Sequence, residues 1–475
     1  MNDLAADVRA LAEARAARIK ALGQERGGRA DRASHWADLT TVMLGSEFIA
    51  RTLSGNPALL DKLDAAARPS DPNALRQQID DLCGDREEIG RALRRIRQEQ
   101  IVLLGWRDLV GKAPLSEVLE TLSTLADAAI DAALKCAHLE LVNRFGQPIG
   151  ENSGKPVQLT VLGLGKLGGR ELNMSSDVDL VFAYRENGST DGTQSISNHE
   201  FFIKLGQALI DILQTPTPEG LVFRVDMRLR PNGDSGPLAL SFDAIDHYFL
   251  THGREWERYA LIKARPVAGD ITSGRELLGN LRPFVYRKYL DFGAFESIRS
   301  MKTLIDRQLA KKSLAGNVKL GRGGIREIEF IIQSHQLIYG GRNAALRTAS
   351  LYEALAALQE GGMLDRADCD RLRSHYDYLR VLEHRLQIMD DAQTHSIPVE
   401  PLARTRIALA MGYPDSVAFD SALASVNDDV HKLFRSVFHH EHGSSTDDQE
   451  SLFADCLLYT SDAADEEDSV DLGGR

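Results

Sequence analysis

Several features that mark other protein classes are scarce or absent in this chain of 475 residues. Its cysteines, Cys83, Cys136, Cys369 and Cys456, are spaced for neither a zinc site nor a disulfide scaffold. No apolar run reaches the roughly 18 residues that a transmembrane helix needs. The N-terminal residues mix charge into every turn, unlike the apolar core of a signal peptide. We therefore expect a reduced, cytoplasmic protein without a membrane partner.

Basic charge is also in short supply, because 56 Lys and Arg residues face 69 Asp and Glu residues. Sequence-independent nucleic-acid binding depends on neutralising phosphates with basic side chains, so nucleic acid is not an expected partner. Aromatic residues make up only 6% of the chain, while 43% is hydrophobic. This ordinary globular composition, at this length, favours about two to four domains.

The last residues differ from the rest of the chain. Residues 456–475 show no helical or strand period, and codons for CLLYTS can reproduce the end of a common sequencing-library adaptor. We interpret 456–475 as a sequence artefact within a disordered tail, 446–475, and expect the natural protein to continue past residue 455. A natural disordered acidic tail is the alternative.

Three patterns follow one another along the chain. Residues 1–150 show helical periodicity, for example at Ile89, Leu93 and Ile96, which fall on one helix face. A Gly, Asn and Pro break at 146–156, interpreted as a linker, leads into residues 151–290. That region is mixed α/β, with strands predicted at VQLTVLGLG, VDLVFAY, VFRVDMRLR and GPLALSF, and a helix capped by Ser197 or Asn198. Residues 291–445 return to helical patterns.

The candidate chemistry lies in the segment GLGKLGGRELNMSSDVDLVFAY, residues 163–184. Its glycines let a strand-to-helix turn approach a ligand closely, and the amides of such a turn can hold phosphate oxygens. Lys166 lies inside the turn as a phosphate-seeking charge. Asp177 and Asp179 stand two residues apart at the start of a strand, so both carboxylates project to the same side.

A third carboxylate, Asp226, on another predicted strand would complete a site for two metal ions. Carboxylates together with substrate phosphate are the ligands that Mg²⁺ prefers, and paired metals clamp the attacking and leaving oxygens. A glycine turn or an Asp pair alone is more often structural. The full order of these parts is specific, and it resembles the DNA polymerase β-like nucleotidyltransferase superfamily. The predicted fold is therefore α+β, multidomain and predominantly helical, with a nucleotidyltransferase mixed sheet flanked by helical domains.

Longer stretches narrow the resemblance to the glutamine synthetase adenylyltransferases over residues 40–440. In that family one half of the chain attaches AMP to a glutamine synthetase tyrosine, and the other removes it by phosphorolysis, yielding ADP. GGIREIEFIIQ resembles the N-terminal, removing half, and no second signature of the attaching half occurs. The stretches that carry the resemblance are GKLGGRELNMSSDVDL, VDMRLRPNGDSGPLALS, GREWERYALIKARPVAGD and KLGRGGIREIEFIIQSHQLIYGGR.

The resemblance implies roles for particular residues. The metal ligands would be Asp177, Asp179 and Asp226, holding Mg²⁺, with Mn²⁺ as the alternative. The nucleotide phosphates would lie at Gly165, Lys166, Gly168 and Ser176. The implied substrates and partners are adenylylated glutamine synthetase, phosphate, ADP or ATP, and the PII signalling protein in its uridylylated form, with a bifunctional full-length parent.

Other polar residues have both a functional and a structural interpretation. Arg228 and Arg230 alternate along the strand of Asp226, so they would contact an anion or form surface salt bridges, and Lys263 and Arg265 follow the same logic. Another predicted helix carries a polar stripe, which faces either the active cleft or solvent, with Glu327 as a structural ion-pair partner. The stripe comprises Arg326, Glu329, Gln333 and Gln336.

Two further functions remain open on the residues alone. Residues 291–445 resemble the helical domain of PII uridylyltransferases, so another nucleotidyltransferase of that kind is one alternative. The other is a regulatory domain that senses PII and no longer catalyses, which the intact Asp177, Asp179 and Asp226 argue against.

Overall fold

A computed structural model describes residues 2–25, 33–287 and 316–438 of the chain. The prediction for the tail 446–475 lies outside these residues. Within them, helices predominate around a small mixed sheet, which confirms the predicted fold class. None of the described helices combines the length and apolarity needed to cross a membrane.

The N-terminal part is a stack of helices joined by short turns. The longest, α6, packs mainly alanine and leucine against α4, α5 and α8, and α5 begins at a capping box in which Asp85 and Glu88 bond each other's backbone amides. The helices are α1 (Asn2–Glu25), α2 (Ala33–Gly45), α3 (Glu47–Gly55), α4 (Pro72–Asp80), α5 (Arg86–Leu109) and α6 (Leu115–Phe145), with a 3₁₀ helix at Pro57–Ala67.

The middle part holds the strands. In chain order its elements are β1 (Pro148–Gly150), β2 (Leu159–Gly163), α7 (Gly165–Gly168), β3 (Val178–Tyr184), β4 (Gly188–Thr190), α8 (Asn198–Gln214), β5 (Val225–Asp226), β6 (Ala239–Ser241), α9 (Phe242–Thr251), α10 (Glu255–Leu261), β7 (Arg265–Gly269) and α11 (Ile271–Val285). Ser197 caps α8, as one of the two predicted residues.

The main sheet has the order β5-β3-β2-β7, and β6 also pairs with β3. β2 is antiparallel to β3 and β7, whereas β3 is parallel to β5 and β6. Alternate side chains enter cores on both faces: Leu180 and Phe182 pack towards α6 and α8, and Val181 and Ala183 towards α9 and α11. Because both faces of the sheet are covered by apolar residues, the candidate polar site residues lie at the strand ends.

The C-terminal part is a second helical unit with its own core. Each of its helices buries apolar side chains in one cluster, which includes Ile328, Tyr376 and Phe419. The helices are α12 (Ile325–Tyr339), α13 (Leu351–Glu360), α14 (Arg366–Ile388), α15 (Pro401–Ala410) and α16 (Ser416–Phe438).

Two local expectations were wrong. The strand predicted over VFRVDMRLR is limited to Val225–Asp226, because Asp226 Oδ1 accepts the Arg228 amide at 2.8 Å and turns the chain. The break at 146–156 is not a plain linker, since β1 lies within it and pairs with β4. The predicted domain boundaries stay predictions.

Candidate active site

The glycine turn packs directly against Asp179, one of the three candidate carboxylates. α7 is a single turn that follows β2, and the Leu164 amide donates to the Asp179 carbonyl at 2.9 Å. Gly165 has a positive φ of 52°, and a Cβ there would lie closer to Asp179 Oδ2 than van der Waals contact permits. Only glycine fits this position without strain.

The three aspartates meet at one edge of the sheet. Asp177 immediately precedes β3, and Asp179 lies beside Asp226 in the parallel register of β3 and β5. All three open into a cleft with about 1250 Å³ of empty space, counted out to its mouth. We call this space the cleft; its lining includes Gly165, Asp177, Asp179, Asp226, Arg326 and Gln387.

In this arrangement the ionised form of the Asp179 carboxyl is unfavourable. Burial raises the pKa of its carboxyl well above the usual value, and the charges of Asp177 and Asp226 add to that rise. A divalent cation bound at the cluster would favour the ionised carboxylate and relieve the repulsion. Carboxylate oxygens are donors of the kind that a hard cation such as Mg²⁺ prefers.

The third aspartate is engaged by an arginine. Arg228 Nε donates to Asp226 Oδ2 at 2.8 Å and to Oδ1 at 3.0 Å, and its terminal nitrogen also contacts Oδ2. Among the described residues no three His, Cys, Asp or Glu side chains are gathered closely enough to hold a metal as they stand. Asp177, Asp179 and Asp226 therefore stay candidate ligands, and Asp226 shares its carboxylate with Arg228.

The structure places the predicted phosphate residues unequally. Gly165, Lys166 and Ser176 line the cleft. Gly168 does not: a Cβ at Gly168 would collide with the Lys263 carbonyl, so this glycine serves the packing of α7. Arg230 is also outside the cleft, because its guanidinium donates to the Met227 and Gly236 carbonyls.

Lys166 has a partner that its position in the sequence does not reveal. Its ammonium lies 2.7 Å from Glu383 Oε1 on α14, and the Glu383 side chain is fully buried. Burial raises the pKa of the Glu383 carboxyl, but the charge of Lys166 and the hydrogen bond with His395 outweigh burial and hold that pKa well below its usual value. The phosphate-seeking charge is therefore held by an ion pair at the edge of the cleft.

Lys263 and Arg265 differ in their surroundings. Lys263 lines the cleft, but its ammonium is shared between Glu171 at 2.8 Å and Glu329 at 2.9 Å. Arg265 lies away from the cleft, where it holds Asp127 through its two terminal nitrogens. The structural interpretation fits Arg265 and also Lys263, whose charge is balanced by two glutamates although it lines the cleft.

The polar stripe on α12 faces the cleft rather than solvent over most of its length. Arg326, Glu329 and Gln333 line the cleft. Gln336 lies further along the helix and is buried, where its amide donates to the carbonyls of Leu346 and Thr348.

Glu327, on the same helix, and two tryptophans differ in whether they line the cleft. Glu327 lies 3.2 Å from His431 Nδ1, in the structural contact expected of it. Trp106 is a core residue, whereas Trp256 lines the cleft.

Other cleft residues were not foreseen. An aromatic wall consists of Trp256 and Tyr259 on α10 and Phe330 on α12, with Tyr259 and Phe330 stacked. Further missed polar residues are Lys319, which precedes α12, and three from α14 and the loop after it: Gln387, Gln393 and His395. A sequence signal existed for α14, because its polar residues repeat at helical spacing through an otherwise apolar face.

Two protein-family models match the chain, and the first of them identifies its family. The family model described as glutamate-ammonia ligase adenylyltransferase matches residues 36–279, more than half of the chain. The chain belongs to that family. A second model, described as GlnD PII-uridylyltransferase, matches residues 299–438, which include the whole of α12 to α16.

The individual relatives carry a more particular name. Proteins called bifunctional glutamine synthetase adenylyltransferase/adenylyl-removing enzyme are similar to the chain in Nitrosococcus oceani, with 47% identity over 88% of the chain and 44% of the relative. The protein of that name in Pseudomonas aeruginosa shows 44% identity over 94% of the chain and 45% of the relative. The chain therefore spans less than half the length of these curated relatives.

Proposed function

We propose that this chain removes AMP from adenylylated glutamine synthetase by phosphorolysis and so takes part in regulating nitrogen assimilation. The observation that carries the proposal is the cleft, in which strand-end aspartates face Arg228, Lys319 and Arg326. Such a site suits two anions, the adenylyl phosphate and an attacking phosphate. The names of the relatives, which include both an attaching and a removing activity, support this substrate.

The reaction balances without an oxidant or a strong base. An oxygen of inorganic phosphate attacks the phosphorus of the adenylyl group, the bond from that phosphorus to the tyrosine oxygen breaks, and the phenolate takes up a proton from solvent. The products are ADP and unmodified glutamine synthetase. Because the nucleophile is already anionic, the cleft has to reduce repulsion between anions rather than remove a proton.

In this proposal each side of the cleft has a separate task. Asp177 and Asp179, with Asp226, would hold Mg²⁺, which supplies charge stabilisation for the attacking and leaving oxygens when bound. Arg228 and Arg326 would attract the incoming phosphate. The amides of the turn at Gly165 would orient the adenylyl phosphate, as predicted from its glycines.

The same proposal extends to cofactors and partners. Mg²⁺ is the proposed metal, with Mn²⁺ as the alternative, and uridylylated PII the proposed activator. The proposed full-length parent is bifunctional, with ATP-dependent adenylylation in the part that this chain does not match. A cytoplasmic location accords with glutamine synthetase as the substrate.

The test follows ADP release from adenylylated glutamine synthetase with Mg²⁺, phosphate and uridylylated PII. We expect phosphate-dependent ADP from the chain, none from an Asp177→Asn, Asp179→Asn double variant, and normal rates from Asp211→Asn, an exposed aspartate on α8. AMP released without phosphate dependence would contradict phosphorolysis. No product from a folded chain would exclude the removing activity.

A second candidate function is uridylyl transfer to PII, favoured by the match of residues 299–438 to the PII-uridylyltransferase model. Incubation with labelled UTP, unmodified PII and Mg²⁺ separates the two. Label on PII together with no ADP from adenylylated glutamine synthetase would replace the first proposal with this one.

A further inference from the structure

Helix α14 presents a row of buried polar side chains to the loop between α7 and β3. Arg380, Glu383, His384 and Gln387 follow one another at helical spacing, and each is fully buried. Arg380 donates to the Glu171 carbonyl at 2.6 Å, and Glu383 holds Lys166. These contacts join the segment matched by one family model to the segment matched by the other.

Gln387 stands at the end of this row, where the helix reaches the aspartates. Its side-chain oxygen accepts the Ser175 backbone amide at 3.1 Å, two residues before Asp177. A backbone N–H can only donate, so the atom that it meets must be the oxygen of the Gln387 amide. The orientation of the amide is therefore determined by its partner, and the nitrogen Nε2 is the atom left over.

That nitrogen has no hydrogen-bond partner among the described residues, although it is shielded from solvent. A buried donor without an acceptor is costly, and native structures seldom retain one without a reason. Gln387 also lines the cleft. Because the nitrogen is shielded, a ligand acceptor in the cleft reaches it only with a local movement of the amide, and that contact would satisfy the donor that the protein itself leaves unsatisfied.

We propose that Gln387 is a substrate-binding residue whose Nε2 donates to a phosphate oxygen of the nucleotide. This inference rests on the proposed function, because it takes the ligand to be an adenine nucleotide. It assigns part of the phosphate site to the C-terminal helical unit, to which the glycine and aspartate motifs gave no clue.

The position of Gln387 favours the phosphates over the base. Gln387 bonds the loop that carries Ser176 and Asp177, both of which line the cleft. One helical turn earlier, Glu383 holds Lys166, the cation of the glycine turn. The aromatic wall suited to stacking a base belongs to α10 and α12 instead.

A neutral donor also suits this location electrically. The carboxylates of Asp177 and Asp179 lie nearby, and a second cation here would compete with a metal ion for them. An amide supplies a hydrogen bond to the phosphate without changing the net charge of the cleft. Gln387 can therefore contact an anion and still leave the aspartates available to Mg²⁺.

Two variants separate binding from support of the loop. Gln387→Glu keeps an oxygen for the Ser175 amide but replaces the donor with a second oxygen. Gln387→Met removes both hydrogen bonds and adds no charge, so it distinguishes a lost hydrogen bond from repulsion, and it remains informative if the buried glutamate prevents folding. The probes are ADP and adenosine, titrated by calorimetry into each full chain with Mg²⁺, with thermal unfolding measured in parallel.

We expect both variants to bind ADP at least about tenfold more weakly than the wild-type chain, the order expected for a lost hydrogen bond to a charged acceptor. Adenosine, which lacks phosphates, should bind all three chains equally. Unchanged ADP affinity in Gln387→Met would overturn the inference and leave Gln387 as a support for Ser175. Equal weakening of ADP and adenosine would overturn it too, as would no ADP binding by the wild-type chain.

Failure of the proposed function would look different. In that case the wild-type chain would bind ADP in a manner that depends on Gln387, yet adenylylated glutamine synthetase would yield no ADP with phosphate. The binding result would then support the contact between Gln387 and phosphate, and the absence of ADP release would exclude phosphorolysis.

Discussion

Asp179 illustrates at the scale of one residue how a site can oppose folding. Its carboxyl is partly buried beside two other aspartates, and the pKa is raised well above the usual value. Ionising the group in the folded protein therefore costs more than in the unfolded chain. That cost is absent below the unfolded pKa and reaches its full size as pH rises through the folded pKa.

The first prediction is that Asp179→Asn abolishes turnover yet raises the melting temperature of the metal-free protein at neutral pH. The neutral amide avoids the repulsion from Asp177 and Asp226. The stabilisation should shrink as pH falls towards the unfolded pKa of an aspartate, about 3.9. Thermal unfolding across pH, with Asp211→Asn as the control, measures it. A lower melting temperature for Asp179→Asn at neutral pH would contradict the prediction.

The second prediction concerns two glycines. Gly165→Ala should destabilise the protein and impair activity, because its φ is positive and its Cβ would strike Asp179; the backbone strain alone is about 1–2 kcal/mol. Gly279→Ala in α11 has open space around the Cβ and an ordinary backbone, so it should stabilise by about 0.5–1 kcal/mol. Denaturant unfolding compares the two, and a stabilising Gly165→Ala would refute the argument.

Individual elements differ in how far the chain alone predicts them. β3 was predicted to the residue, because its apolar run is bounded by Asp177 and by the polar residues after Tyr184. α8 was predicted with its cap, since Ser197 accepts the Glu200 amide in a local contact. Patterns of this kind depend on neighbours in the sequence, and a single sequence contains them.

The errors arose where a distant or side-chain contact decides the structure. β5 ends early because Asp226 bonds the Arg228 amide, which a strand pattern does not reveal. The ion pair of Lys166 joins it to a residue 217 positions away, so the role of α14 was missed. The three aspartates line one cleft, because Asp177 immediately precedes the strand of Asp179 and Asp226 lies in register with Asp179. Their role as metal ligands stays a prediction.

The third prediction tests the contact between α5 and α14. Arg385 on α14 is buried against Asp108 on α5, where it contacts the carboxylate and donates to the Asp108 carbonyl at 3.0 Å. Asp108→Asn should cost about 3 kcal/mol, because a buried guanidinium loses its counter-charge. Chemical denaturation of the variant and the wild-type chain measures this loss in the free energy of unfolding.

The matched control for that change is Glu87→Gln on the same helix. Glu87 pairs with Arg91 on the surface, and exposed pairs contribute only about 0–1 kcal/mol. Equal losses from Asp108→Asn and Glu87→Gln would mean that burial of the Arg385 pair does not matter.

At the scale of the whole molecule, a layer of charge lies between two apolar cores. One core extends from α1 to β7 and also includes Ile388 of α14, and the other is formed mainly by α12–α16. Between them Lys263 holds Glu171 and Glu329, while Arg380 donates to Asn173 and Tyr376 Oη donates to Glu171. Separating the cores would break the ion pairs that cross this layer, Lys263 with Glu329 and Lys166 with Glu383.

The fourth prediction is that the two cores unfold together. Multidomain proteins often unfold in steps, but the buried charges between these cores make a half-folded state costly. Calorimetry should show one transition that coincides with loss of far-ultraviolet circular dichroism. A Lys263→Met variant should lower that transition, and two resolved transitions in the wild-type chain would disprove the coupling.

The charged layer between the cores also affects whether the two segments of the chain can be exchanged separately during evolution. Two segments that match separate family models would be expected to recombine as exchangeable modules. Here the partners of Lys166 and Lys263 include Glu383 and Glu329 on the far side of the layer. A chimera that replaces residues 316–438 keeps an intact site only if its donor carries acidic residues at both positions, so these segments are expected to have diverged as a pair.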